Sequence, residues 1–359
     1  MAQHTVIVKI DSLPRYHSYG NDIYITGSFN GWNPQDINYR FQKDKEGKYF
    51  IKLLLDDGDY EYKLTRGGWD KVECKMDGSG IDNHPVKVDA DTTISISVDE
   101  WLDRFPKAPK VSTASKNVYS LDASFGIPQL KRTRNVWIYL PENYKKTKKR
   151  FPVLYMQDGQ NVFDEATAFA GEWGVDEYFD SVNDKGLQAI VVAVENGGKK
   201  RMNEYCPYDT KKFGKGEGNA YADFLVKTLK PFIDKHYRTL KNTANTSIAG
   251  SSMGGLISFY TLLKYPQVFG GAGIFSPSLW VAPKMFDEIK AKAAKVNSKI
   301  YFYAGKQEDE KMVQDVLKAF ELMGKFSKSI MTAVIRDDGK HNEPTWRKEF
   351  PLFYEWMMK

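Results

Sequence analysis

Ser252 stands in Gly250-Ser251-Ser252-Met253-Gly254, a G-x-S-x-G pattern. A serine hydroxyl is a weak nucleophile, and it needs a neighbouring base and a tight turn that presents it to substrate. Glycine at both flanking positions suits such a turn, because side chains there would crowd it. The register selects one serine: Ser251 would need glycine at 249 and 253, which are Ala249 and Met253. The pattern follows the expected strand 246–249 and precedes an amphipathic run carrying Leu256, Ile257, Phe259, Tyr260 and Leu263. Ser252 is therefore expected at a strand-to-helix turn, where the helix N-terminus favours developing negative charge. The chemistry this implies is acyl transfer through a serine.

Such chemistry requires a base, an acid and an oxyanion site. With a strand–turn–helix nucleophile the order along the chain is serine, acid, histidine. Of His4, His17, His84, His236 and His341, only His341 follows Ser252. It lies in Asp337-Asp338-Gly339-Lys340-His341-Asn342, between an expected strand and the last helix. The acid, which orients the imidazole, is expected after the strand 299–304, in Gly305-Lys306-Gln307-Glu308-Asp309-Glu310. Glu308 ranks ahead of Asp309 and Glu310, although spacing leaves all three open. Two N–H groups must meet the tetrahedral oxyanion. Met253 is expected to supply one and Gln160 the other, with Gly159 allowing the backbone to approach closely.

The elements that would position these groups follow from periodicity. Residues 1–103 read as all-β, with β-rich runs at 5–10, 22–27, 49–55, 60–65 and 92–98 between turn residues. Residues 104–116 carry two prolines and no apolar period, which reads as a linker. From 117 to 359, strands alternate with helices. Strands are expected at 135–140, 152–156, 188–194, 246–249, 271–275, 299–304 and 329–336. Helices are expected at 173–183, 219–236 with Pro231 interrupting, 254–264, 283–296, 311–326 and 344–358. The run 188–194 is continuously apolar, as in a strand buried on both faces. This alternation implies an α/β fold, a doubly wound, mostly parallel sheet.

Composition narrows the classes. Residues 1–103 carry 12 Lys+Arg against 18 Asp+Glu, while the remainder carries 40 against 28, which supports a domain boundary. The lysines are scattered and the dense run 145–150 falls between two strands, so nucleic acid is not expected as a partner. No stretch has a membrane span's length of apolar residues, so no membrane association is expected. The start lacks the pattern of a signal peptide, which leaves a secreted or periplasmic place open only if a leader was removed, and a cytoplasmic one otherwise. Cys74 and Cys206 fall in different segments, so a disulfide framework is not expected. No metal or cofactor is expected.

Six stretches carry a resemblance: LYMQDGQNVFD (154–164), RMNEYCPY (201–208), IAGSSMGG (248–255), SPSLW (276–280), YAGKQE (303–308) and GKHNEPTW (339–346). Through them, residues 117–359 resemble the putative-esterase family of α/β hydrolases. That family includes carbohydrate esterase family 1 (feruloyl and acetyl-xylan esterases) and the enterobactin-type siderophore esterases. The resemblance implies an α/β-hydrolase fold and metal-free ester chemistry, with Glu308 as acid, His341 as base and Gln160 as second oxyanion donor. Many relatives have His-Gly where this chain has Asp158-Gly159. Residues 1–103, through ITGSFNGWNP (25–34) and YKLTRGGWDKVE (62–73), resemble starch- or glycogen-binding immunoglobulin-like modules. That likeness implies Trp32 and Trp69 as sugar-stacking residues. Trp280, and Tyr205 and Tyr208 on the long loop 196–218, are candidate walls for a feruloyl or other aryl-acyl group. The expected substrate is an acyl ester of a polysaccharide, with a catechol trilactone as the alternative.

Overall fold

A computed structural model describes residues 3–17, 22–105, 110–182 and 186–359. The chain divides into two compact units, Met1–Pro109 and Lys110–Lys359.

The first unit is all-β apart from short turns. Gln3–Ser12 pairs antiparallel with Tyr49–Asp56 and parallel with Thr92–Ser97, and Gln42–Lys43 lies outside Tyr49–Asp56. A second sheet places Gly58–Thr65 between Tyr24–Gly27 and His84–Val88. Period-two alternation turns Val6, Val8, Ile51 and Leu53 inward, where they share one core with Ile25, Tyr62, Leu64 and Val88 of the second sheet. His84–Val88 was not anticipated from sequence. It holds Pro85 and buries little, which is tolerable because it is an edge strand.

The second unit is built on one eight-stranded sheet. Its strands are β1 (Val118–Ile127), β2 (Arg132–Tyr139), β3 (Val153–Met156), β4 (Ile190–Val194), β5 (Thr246–Ser251), β6 (Gly271–Phe275), β7 (Lys299–Gly305) and β8 (Ile330–Arg336). Their spatial order is β1-β2-β4-β3-β5-β6-β7-β8. Strands β1 and β2 pair antiparallel, β2 runs antiparallel to β4, and the remaining pairs are parallel. The helices are α1 (Val175–Ser181), α2 (Arg201–Tyr205), α3 (Gly218–Phe224), α4 (Lys230–His236), α5 (Met253–Lys264), α6 (Met285–Lys292), α7 (Glu310–Phe326) and α8 (Glu343–Met358).

Helices cover both sheet faces. Phe179 of α1 and Trp346, Phe350 and Phe353 of α8 pack with Leu154, Met156, Val191 and Ala193. Residues of α3 and α5–α7, among them Phe224, Leu256, Ile289 and Val316, pack with Val153, Tyr155, Val192 and Phe302. Neighbouring residues of one strand thus enter different cores, so a polar substitution at either parity is costly. Each fully buried Leu or Phe contributes about 1.5–3 kcal/mol.

Three differences from the sequence reading have physical causes. Strand β1 escaped notice because it is an edge strand with mostly exposed residues and no alternation. Pro231 does not interrupt its helix. A π-turn at Leu225–Leu229 precedes it, and Pro231 opens α4, where a missing N–H is tolerated. Of the expected linker, 106–109 lie outside the described residues, as does residue 183 of the first expected helix. Residues 110–116 are fastened along the second unit. Lys110 Nζ donates to Ala168 O at 2.7 Å, Ser112 Oγ to Asp164 at 2.8 Å, and Ser115 N to Asp176 Oδ2 at 2.7 Å. No described helix is long and apolar enough to cross a membrane. Cys74 and Cys206 are both free and buried.

Candidate active site

Because β3, β5, β7 and β8 run parallel, the loops that follow them emerge at one edge of the sheet. Ser252 follows β5 directly, at φ 56° and ψ −123°. A non-glycine residue in that region is strained, and it persists only where its surroundings impose it. The surroundings are main-chain bonds: Ser252 N donates to Phe275 O at 2.9 Å, and its carbonyl accepts from Ser278 N at 3.1 Å and Leu256 N at 3.0 Å. The flanking glycines are required by space. A Cβ on Gly250 would lie 2.7 Å from the Gly254 backbone, and one on Gly254 would lie 2.9 Å from Asp158 Oδ2. Ser252 Oγ lies 3.2 Å from Ser278 Oγ.

His341 Nδ1 lies 2.7 Å from Glu308 Oε2. An Nδ1–H donated to that carboxylate leaves Nε2 as the basic nitrogen. Glu308 is itself fixed: its Oε1 accepts from Gly305 N and from Ser276 Oγ, both at 2.7 Å. Ser276 Oγ accepts in turn from Trp346 Nε1 at 3.1 Å, and the Trp346 ring stands edge-on to His341 at 5.0 Å. The two loops meet through glycines, since a Cβ on Gly305 would come 2.1 Å from Gly339 O. Asp309 caps α7 by accepting from Lys311 N at 2.8 Å, and Glu310 accepts from Gln314 at 3.1 Å. Of the three candidate carboxylates, the structure brings Glu308 to His341.

Ser252, His341, Gln160 and Trp346 line one cleft of about 860 Å³, together with Asp158, Asn161, Phe169, Asn196, Arg201 and Glu343. Met253 is buried at the first position of α5. Gln160 lies in the turn Gly159–Asn161 after β3. Its side-chain oxygen accepts from Asn196 N at 3.2 Å. Arg201 donates to both Asp158 oxygens, Nε to Oδ1 at 2.6 Å and a terminal nitrogen to Oδ2 at 2.9 Å. Burial opposes the Arg201 charge, but the Asp158 carboxylate outweighs it and raises the guanidinium pKa. Burial also raises the Glu343 carboxyl, with Asp158 adding to the shift.

Two expected walls do not stand in the cleft. Tyr205 is fully buried, and its hydroxyl accepts from Asp158 N at 3.2 Å, so it supports the turn from behind. Trp280 is half exposed in the turn Leu279–Val281 and is absent from the cleft lining. Residue type marks an aromatic but not the side it faces. Tyr208 packs edge-on against Tyr260. The exposed aromatic in the cleft is Phe169, 82% accessible, which the sequence reading missed. Ser276, Ser278 and Arg201 were missed as well, although the SPSLW and RMNEYCPY stretches had marked their neighbourhoods. In the first unit, the rings of Trp32 and Trp69 lie 6.2 Å apart at 38°, with Trp32 at φ 60°.

A family model described as Putative esterase matches residues 127–353. The chain belongs to that esterase family and is a carboxylic ester hydrolase with an α/β-hydrolase fold. It is 25% identical over 241 residues to the uncharacterized protein YbbA of Bacillus subtilis, covering 62% of this chain and 92% of that protein. It is 26% identical over 219 residues to an endo-1,4-beta-xylanase/feruloyl esterase of Xylanibacter ruminicola, covering 59% of this chain and 27% of that protein. A solved enterobactin esterase of Shigella flexneri, in the presence of enterobactin, shares its fold at a TM-score of 0.55 and 15% identity, over 99% of this chain and 92% of that one.

Proposed function

We propose that this hydrolase cleaves feruloyl or acetyl esters of polysaccharides through a Ser252–His341–Glu308 triad. Ser252 Oγ attacks the ester carbonyl as His341 takes its proton. Glu308 orients the imidazole and stabilises its cationic form. The Met253 and Gln160 N–H groups hold the oxyanion. His341 then protonates the departing alcohol, and water attacks the acyl-enzyme with His341 again as base. The observation that carries this reading is the 2.7 Å His341–Glu308 contact beside a serine at a strained strand-to-helix turn.

The substrate class is argued from three features. The exposed Phe169 ring gives an aryl-acyl group a face in the cleft. The xylanase/feruloyl esterase relative matches over 59% of this chain. The paired Trp32 and Trp69 rings suit stacking on sugars, and they support reading residues 1–103 as an immunoglobulin-like, glycan-binding sandwich. Residues 104–116 would then connect that module to the hydrolase domain 117–359.

A second reading is a siderophore esterase acting on a catechol trilactone. It is favoured by the enterobactin esterase match, which spans this chain almost completely, including its β-rich start. One panel separates the two: methyl ferulate, acetylated xylan, p-nitrophenyl acetate and a triscatechol lactone, each with wild type and Ser252→Ala. The polysaccharide-ester reading expects Ser252-dependent preference for ferulate or acetyl-xylan. Preference for the lactone would overturn it.

A further inference from the structure

We infer that the Asp158–Arg201 ion pair is a positioning device that sets the oxyanion loop and neutralises a carboxylate beside the nucleophile turn. The inference rests on the reading of Gln160 N–H as an oxyanion donor. Asp158 follows β3 at φ 54° and ψ 50°, a left-handed conformation that is uncommon outside glycine although aspartate tolerates it better than most residues. Its support is unusually complete. Arg201 grips both carboxylate oxygens at 2.6 and 2.9 Å, and Asn196 Nδ2 donates to Oδ1 at 2.7 Å. The Asp158 N–H donates to Tyr205 Oη at 3.2 Å.

Arg201 and Tyr205 are one turn apart on α2, so a single short helix holds Asp158 by side chain and main chain together. The guanidinium carbon also lies 5.4 Å from the Tyr205 ring centre. Asn196 reaches Asp158 through its side chain and Gln160 through its main chain, so one loop ties both residues. The first turn of α5 adds an electrostatic requirement. Asp158 Oδ2 would lie 2.9 Å from a Cβ on Gly254, two residues past Ser252. An uncompensated carboxylate there would oppose an oxyanion forming at Ser252, because like charges repel strongly where water is excluded. Arg201 removes that opposition while holding the loop. Its bidentate fork, which lysine cannot reproduce, fixes direction as well as charge.

Arg201 is therefore a positioning residue, and its effect belongs in kcat rather than in KM. The test measures kcat and KM for an ester and for the matching thionoester, whose sulfur is a poorer acceptor for oxyanion donors. Active sites are counted by burst titration. For Arg201→Lys, kcat on the ester is expected to fall about 10-fold, and for Arg201→Ala about 100-fold, with KM within about threefold. The preference for ester over thionoester should shrink in step. Arg201→Ala strands a buried carboxylate and can cost folding, so Asp158→Asn combined with Arg201→Gln is the second variant. It keeps hydrogen bonding, removes both charges, and is expected to lose about 10-fold in kcat per titrated site. Unchanged kcat, a change confined to KM, or a kcat loss that leaves the thionoester preference intact would overturn the inference. Ser252→Ala, run alongside, isolates the underlying reading: if it retains turnover, the serine mechanism fails independently of Arg201.

Discussion

His341 and Glu308 are joined by loops that main-chain geometry brings together, whereas the turn after β3 is held by side chains distant in sequence. In the first arm, Gly305 N donates to Glu308, and Gly305 and Gly339 pass within a methyl group's reach of each other. Gln307 N donates to Gly339 O at 2.9 Å, which locks the two loops in register. In the second arm, Asp158 depends on Arg201 and Asn196, and Asn161 Nδ2 donates to Glu343 Oε1 at 2.9 Å, a residue at the start of α8. An arm built from adjacent strand ends and glycines leaves compact signatures in sequence. An arm built from dispersed polar partners does not. The two should also fail differently when perturbed.

The sharpest break of the first arm is Glu308→Gln. It keeps size but removes the charge that stabilises imidazolium, and kcat is expected to fall about 10⁴-fold with little change in thermal stability. Retention of more than a tenth of wild-type kcat would show that His341 does not need this carboxylate. In the second arm, Phe169→Ala should raise KM for methyl ferulate roughly 10-fold and leave ethyl acetate unaffected. Equal effects on both esters would mean that Phe169 shapes the loop rather than meets an aryl group. Asp309→Ala is the control for the first arm. It removes the α7 cap and should cost about 1 kcal/mol in chemical denaturation, with kcat per folded molecule unchanged. A large kinetic loss there would return Asp309 to contention as the acid.

A smaller effect lies behind both arms. Asp176 is fully buried, and burial, with the neighbouring Glu177 carboxylate, pushes its pKa up to about 8. In the unfolded chain a carboxyl of this kind titrates near pH 4. The folded protein binds this proton more tightly, so its contribution is complete below about pH 4 and is lost as pH rises through about 8. The melting temperature should therefore decline across that window, and Asp176→Asn should flatten the decline. An unaltered slope in the variant would assign the pH dependence to other groups.

Much of this was legible in the chain. The strand-to-helix turn at Ser252, the sole histidine after it and the central strands β3–β7 follow from local pattern, because glycine spacing and apolar runs are local. Choosing Glu308 over Asp309 and Glu310 was not possible from spacing, since three adjacent carboxylates differ only in where their side chains point. Resemblance ranked Glu308 first, and the geometry shows why its neighbours are occupied with the N-terminus of α7. Tyr205 and Trp280 show the opposite failure. Aromatic type raised an expectation about the cleft, whereas one ring turned into the core and the other away from it. Strand β1 gave no alternating signal because residues 118–124 bury no side chain fully and its pairing register shifts twice, and the RMNEYCPY stretch marked Arg201 without revealing its partner, which sits 43 positions away.

The most direct test of the account is to trap the acyl-enzyme. The protein would be mixed with p-nitrophenyl acetate, quenched with acid during the burst, digested, and the acyl group located by peptide mass spectrometry. The account predicts acetylation of Ser252, with no burst from a folded Ser252→Ala protein. An acyl group on another residue, or a full burst from Ser252→Ala, would contradict it.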